Sequence, residues 1–399
     1  MLTEKQLDRY ADVLLWGLET ARTGGTKPND LVLIRYDLPA VRLAEILQAK
    51  LYRMKRNVVL RATYTPEMEK NLYTLCDDTQ LTFRMPGDDA LYKALNGSIF
   101  LHAPASITHL SDVDPKRIGR AAIARKYLKD ILDRRDEAGD FSWTLCIVPT
   151  EALAEHAGLD SAAYTHQVVK ACFLGASDPL ERWRGIYDKA QTIKKWLNSL
   201  AVKHFHIESA GTDLEITPGE NRRWIGISGH NIPSFELFLS PDWRGTRGYY
   251  YADQPSFRSG NYVKGLRLEF KNGRALQIRA EAGEIFARRQ LEMDPGANRI
   301  GEFSLTDKRF SRIDRFMANT LYDENYGGKF GNCHIALGSS YSDTFAGNPA
   351  TLTKGMKKKL GFNDSALHWD VVNTEKKRVS AHLKTGETLT IYENGLFSI

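Results

Sequence analysis

Six side chains able to bind a divalent metal ion fall in one stretch of this chain: Glu236, Glu302, His334, Tyr341, His368 and Asp370. They stand in short contexts: Asn231-Ile-Pro-Ser-Phe-Glu236-Leu-Phe, Ile300-Gly-Glu302-Phe, Cys333-His334-Ile-Ala-Leu-Gly338, Ser339-Ser-Tyr341 and Leu367-His368-Trp-Asp370. Carboxylate and imidazole together suit a hard-to-borderline divalent ion. One catalytic zinc usually takes three protein ligands, so six point to two neighbouring ions, and paired ions point to hydrolysis.

Each position also has a structural reading. His368 and Asp370 stand at i and i+2, which puts two side chains on one face of a strand. Glu236 interrupts the apolar run Phe235 to Leu239, where an unpaired carboxylate is costly and a metal would offset that cost. Glu302 sits between Gly301 and Phe303, and its alternatives are a helix cap or an ion pair with Arg299 or Arg309. Taken singly, His334 reads as a core histidine, and Tyr341 as a buried ring. A tyrosine ligand must lose a proton of pKa about 10, which a divalent ion can promote. Asp323-Glu324 before Gly327-Gly328 is a further acidic pair, suited to outer support or to a base.

These groups need elements to hold them. Thr3-Glu-Lys-Gln6 has the form of a capping box, and Leu7, Tyr10, Ala11, Leu14, Leu15 and Leu18 follow helical spacing. Strands are expected at Leu31–Ile34, Val58–Leu60, Ile99–Leu101 and Trp143–Val148, with helices over 39–54 and 115–135 between them. Strand, helix, strand at this spacing predicts a parallel sheet. Asp178-Pro179 opens a further helix to about Leu200. Short alternating segments follow: His204–Ile207, Asp213–Ile216, Trp224–Ile227, Gly265–Phe270 and Ala275–Ala280. Asn272-Gly273 marks a hairpin between the last two. A helix is expected over Arg309–Asn319. The fold class is therefore α/β: an N-terminal α/β domain over 1–200 and a C-terminal, β-rich α+β domain over 201–399 that carries the metal ligands.

A chain of 399 residues is long enough for two domains. Hydrophobic residues at 42% and charged residues at 26% are ordinary for a soluble globular protein, and a net charge of +6 spread over the chain argues against nucleic-acid binding. The basic residues of 115–135 alternate with acids and read as a solvated face. Cys76, Cys146, Cys172 and Cys333 form no CxxC pair, so neither a zinc finger nor a disulfide framework is expected. The opening residues lack signal-peptide order, and no stretch approaches a membrane span of roughly 20 apolar residues. A cytoplasmic protein without a membrane partner is expected.

Asn-Ile-Pro-x-x-Glu-x-Phe, Ile-Gly-Glu, Tyr-Asp-Glu-x-x-Gly-Gly, His-x-Ala-Leu-Gly-x-Ser-Tyr and Ser-Ala-Leu-His-Trp-Asp occur here in one order. This set resembles the thermophilic-type metallo-aminopeptidases, the aminopeptidase S and aminopeptidase T family, most strongly over about 225–372. The resemblance implies two divalent ions (zinc, cobalt or manganese) held by Glu236, Glu302, His334, Tyr341, His368 and Asp370, with Glu302 the candidate bridging group or base. It also implies peptide substrates with a free N-terminus, a two-domain subunit and a homodimer. The chain departs from the family's pattern around the ligands. Ser234-Phe235 stands where Asp-Gly is usual, Phe303–Arg309 replaces a Gly-Thr-Asn-rich loop, and the segment before His334 is lengthened through Lys329–Cys333.

Two competing readings remain open from the residues. Another dinuclear hydrolase, such as a phosphoesterase, would lean on more Asp and His than a chain with ten His offers. A binding module, either without metal chemistry or retaining only the ligands, would use Arg244, Arg247, Tyr249, Tyr250, Tyr251 and Arg258, because Arg and Tyr together can stack bases.

Overall fold

A computed structural model describes residues 1–399. Two compact units emerge from it. The first comprises Met1–Tyr187, Ile227–Ser234 and Met317–Leu321, and the second Asp188–Gly226, Phe235–Phe316 and Tyr322–Ile399.

The first unit is built on a five-stranded parallel sheet in the order Asn57–Ala62, Leu31–Tyr36, Gly97–His102, Ser142–Ile147, Asn231–Ile232. The helix Glu4–Thr20 starts at the expected box, with Thr3 accepting from the Gln6 amide and the Gln6 side chain returning to Thr3. It buries Tyr10, Leu14 and Leu18, and the Tyr10 hydroxyl donates to the Ile147 carbonyl. Helices Val41–Arg53 and Pro115–Glu137 occupy the predicted segments. On the latter, Lys126 pairs with Asp130 and Lys129 with Asp133, so this face is largely neutralised by its own acids.

Two large antiparallel sheets and the two-stranded hairpin Ser256–Arg258 with Asn261–Val263 make up the second unit. The larger has eight strands in the order Arg274–Arg279, Leu266–Lys271, Arg247–Ala252, Asp213–Ile216, Val202–Glu208, Arg378–Leu383, Thr388–Glu393, Leu396–Phe397. Its first hairpin turns on Asn272 and Gly273, both at positive φ, as a primed two-residue turn requires. The smaller sheet runs His368–Asn373, Asn332–Gly338, Ile300–Thr306, Glu236–Leu239. One face of it is apolar, and there Phe303 meets Phe205 and Trp224 with ring centroids 5.5 Å apart in each pair. Tyr250 adds hydrogen bonds of 3.1 and 2.7 Å to the Cys333 and Val371 carbonyls, tying the larger sheet to the smaller.

Two expected elements are absent. Trp224–Ile227 forms only isolated pairing at Ile225 with Phe238, because Gly226 and Ile227 adopt positive φ and turn the chain away from an extended path. Arg309–Asn319 is not a helix; the only helical turn nearby is Thr320–Asp323. Side chains take over this backbone instead: Asp307 accepts from the Arg309 amide, and Ser311 Oγ bonds the Ile313 amide and the Asn325 carbonyl. No helix is long and apolar enough to cross a membrane.

Candidate metal centre

The second face of the four-stranded sheet carries the chemistry. Cross-strand register sets Thr306 opposite Glu236, Ser304 opposite His334, Glu302 opposite Ala336, Ala336 opposite Asp370 and Gly338 opposite His368. Directly paired residues, and residues two apart on a strand, share a face. Glu236, Glu302, His334, His368 and Asp370 therefore leave the sheet on one side. Ser304, Ala336 and Gly338 lie among them on that side, and their small size leaves space for the long acids and imidazoles to converge.

Two glycines in the motifs are structural requirements of this arrangement. Gly338 has φ +107°, and a Cβ there would overlap the Leu367 carbonyl oxygen. At Gly301, beside the register shift between Ile300 and Glu302, a Cβ would overlap the Gly338 and Ser339 carbonyl oxygens. Close backbone approach at these points is what brings Glu302 beside the strand bearing His334.

His334 Nε2 lies 3.1 Å from Glu236 Oε2, 3.2 Å from Glu302 Oε1 and 4.0 Å from Asp370 Oδ1. His368 Nε2 lies 3.4 Å from Asp370 Oδ1 and 3.8 Å from Glu302 Oε2. Glu302 thus stands between the two imidazoles. Donor atoms of Glu236, Glu302 and His334 fall within 4.8 Å of one another, as do those of Glu324, His334 and Asp370. Tyr341 follows the strand in a loop, and its ring meets His368 edge-on at 4.8 Å between centroids. All of the predicted ligands are gathered here, and Glu324 joins them.

Outer contacts orient several of these groups. Ser304 Oγ donates to Glu236 Oε2 at 3.0 Å. His368 Nδ1 lies 3.0 Å from the Ser339 carbonyl, which places the Nδ1 proton there and leaves Nε2 facing the carboxylates. Arg258 donates to the His368 carbonyl at 2.8 Å and lies near enough to Asp370 to favour its ionised form. Arg258 lies in a hairpin in which Ser256–Arg258 pairs with Asn261–Val263. Of the other residues of the stacking set, Tyr250 is buried, Arg244 is held by Asp242 and Arg247 by Glu215, while Tyr249 is exposed on the strand Arg247–Ala252.

The electrostatics are those of a cation site. Burial, reinforced by Glu236 and Asp370, pushes the Glu302 carboxyl up to about 7, although His334 and His368 oppose it. Burial and the neighbouring acids hold the Glu324 carboxyl well above its ordinary range. Burial disfavours charge on His334, yet Glu236, Glu302 and Asp370 outweigh it and raise its pKa strongly. Asp370 would rise through burial too, but His368, His334 and Arg258 bring it down to about 2. Glu236, Glu302, Glu324 and Asp370 can share this space only if positive charge is supplied. Protons on the imidazoles and on the raised carboxyls supply it from within, and divalent ions are the alternative that this donor set fits.

The profile of the family described as thermophilic metalloprotease (M29) matches residues 3–397. The chain belongs to that family. As a metalloprotease it is a hydrolase, and the acidic, imidazole-bearing face is where its divalent metal chemistry is to be sought. It is 30% identical to aminopeptidase 2 of Geobacillus stearothermophilus over 76% of each chain, and 24% identical to aminopeptidase PepS of Streptococcus thermophilus over 98% of each. Its fold is shared with wild-type AmpT from Thermus thermophilus, with a TM-score of 0.79 and 21% identity over the whole of both chains. In this metalloprotease the segment 303–306 continues the buried strand Ile300–Thr306. Phe303 and Leu305 fill the apolar side of the sheet, and Ser304 reaches back to Glu236.

Proposed function

We propose that this metalloprotease is an aminopeptidase with a dinuclear centre, removing residues one at a time from the free N-terminus of peptides. Glu236, Glu302, His334, Tyr341, His368 and Asp370 would hold two divalent ions of the zinc, cobalt or manganese class, with Glu324 beside them. The observation that carries the reading is the position of Glu302, whose two oxygens face different imidazoles, at 3.2 and 3.8 Å. A carboxylate so placed suits a group shared between two ions. When bound, such ions lower the pKa of a shared water towards neutrality and polarise the scissile carbonyl. Glu302 is either that shared ligand or the base: as the base it takes up, at a carboxylate oxygen, the proton that the attacking water gives up, and as the bridge it leaves that role to Glu324. The family-typical homodimer and a cytoplasmic setting belong to the same reading.

Exopeptidase action is tested with peptides that differ only at the amino terminus. Free peptides should lose residues in sequence from that end, and N-acetylated copies should stay intact when the products are followed by mass spectrometry. Internal cuts in the acetylated peptides would make the enzyme an endopeptidase.

Tyr341 gives a second test. Tyr341→Phe keeps the ring against His368 and removes only the phenol oxygen, so the packing volume hardly changes. If that oxygen binds an ion, activity should fall and partly recover at high metal concentration, and one of two ions should titrate more weakly. If it does not, the variant should lose at most about 0.5–1.5 kcal/mol of stability and bind both ions as the parent does.

A further inference from the structure

The outward face of the eight-stranded sheet, a different sheet from the one that carries the acidic cluster, collects three imidazoles. His204 and His206 stand two apart on the strand Val202–Glu208, so both leave the same face. The neighbouring strand Arg378–Leu383 sets His382 directly opposite His204 and Ser380 opposite His206. The His204 and His382 rings lie 4.3 Å apart at 15° between planes, and His206 and His382 are 6.3 Å apart. Phe205, Ile207 and Ala381 point the other way, into the core. The His204 and His206 side chains retain 24% and 26% of their exposure, so water and small ions reach them.

We propose that His204, His206 and His382 form a second metal site, taking one divalent transition ion of the zinc, nickel or copper class through imidazole nitrogen. Two imidazoles bound to one tetrahedral ion, with metal–nitrogen bonds of about 2.0–2.1 Å, place their ring centres roughly 5 Å apart. The two observed spacings bracket that value. As they stand, the His204 and His382 rings are stacked, and binding an ion requires the side chains to turn towards a common point. Nitrogen donors favour these metals over calcium or magnesium.

The surroundings supply the outer partners that such ligands use. His206 Nε2 lies 2.8 Å from Asp213 Oδ1 and its Nδ1 3.8 Å from Glu208 Oε2, and Thr388 Oγ1 lies 2.9 Å from His382 Nδ1, so oxygen partners flank these rings. Glu215 lies 3.8 Å from His204 Nε2 and is itself held by Arg247, so it balances charge without needing to enter the coordination sphere. Burial, together with His382, Arg247 and Lys203, lowers the pKa of His204, although Glu215 opposes this; the imidazole is neutral, as a ligand must be, at neutral pH.

The test counts zinc on the full chain. Protein stripped with chelator is equilibrated against micromolar free zinc, beside His204→Asn and His382→Asn, and bound metal is measured by elemental analysis. The wild type should hold one ion more than either variant, and hydrolysis of an aminoacyl reporter should be within about twofold in all three. Equal zinc content in wild type and active variants would overturn the proposal. A second measurement covers variants that fail to fold. Wild-type protein labelled at its histidine rings and loaded with only two equivalents of zinc, enough for the acidic centre, is given substoichiometric copper(II). Three ring signals should broaden before the rest of the ten histidines. Uniform broadening, or none, would equally overturn it.

Discussion

Turnover of Glu302→Gln should fall by about 10²–10⁴-fold, the usual contribution of a general base. The loss can be larger if the charge also holds an ion. Glutamine keeps the volume of the side chain and a hydrogen-bonding oxygen for His334, so the sheet has no steric reason to change. Glutamine also resembles the neutral carboxyl that burial and the neighbouring acids favour at this position. The metal-free variant should therefore melt no lower than the metal-free parent, while kcat on an aminoacyl reporter collapses. Circular dichroism melts and steady-state kinetics on the same preparations separate the two effects. Turnover close to that of the parent would move the proton-accepting role to Glu324, whose buried carboxyl shares the cluster with His334 and Asp370. Equal losses of kcat and of stability would make Glu302 a structural acid.

Removing the metal should abolish activity and lower the melting temperature together. Glu236, Glu302, Glu324 and Asp370 are buried in one cluster, so a cation bound there stabilises the folded chain alone. An ion present at about 100 times its dissociation constant contributes about 2.7 kcal/mol. For a chain of 399 residues, unfolding with about 2.1 cal/mol/K of entropy per residue, that corresponds to about 3 °C in Tm for each ion lost. Long incubation with a chelator should bring hydrolysis to background, and added zinc, cobalt or manganese should restore both readouts. A titration of the stripped protein should reach full activity at two equivalents. Full activity in excess chelator would remove metal chemistry from the enzyme, and saturation at one equivalent would leave Glu302 with nothing to bridge.

The sequence alone was enough to list Glu236, Glu302, His334, Tyr341, His368 and Asp370 and to predict a parallel α/β part followed by a β-rich part. Local physics carries those readings. The i, i+2 spacing of His368 and Asp370 needs only a strand to put both on one side. The helix beginning at Thr3 declares its cap and its apolar stripe, and Asn272-Gly273 declares its turn. Each of these signals acts over a few residues, where side-chain geometry and backbone preference agree.

Tertiary structure decided the rest. No local pattern says that Ala336 stands between Glu302 and Asp370, since register comes from the pairing of strands more than 30 residues apart. Arg258 was indistinguishable from a surface arginine until its hairpin brought it to the His368 carbonyl. In the sequence Glu324 is only half of an acidic pair, because acidity does not reveal burial, and burial is what gives this carboxyl its altered chemistry. The helix expected over Arg309–Asn319 failed for the same reason. Its apolar spacing was helical, but Asp307 and Ser311 bind the backbone through contacts that a helical pattern does not contain. Periodicity reports which face a segment would bury; the partner that faces it, and the charge that partner carries, exist only once the strands are paired.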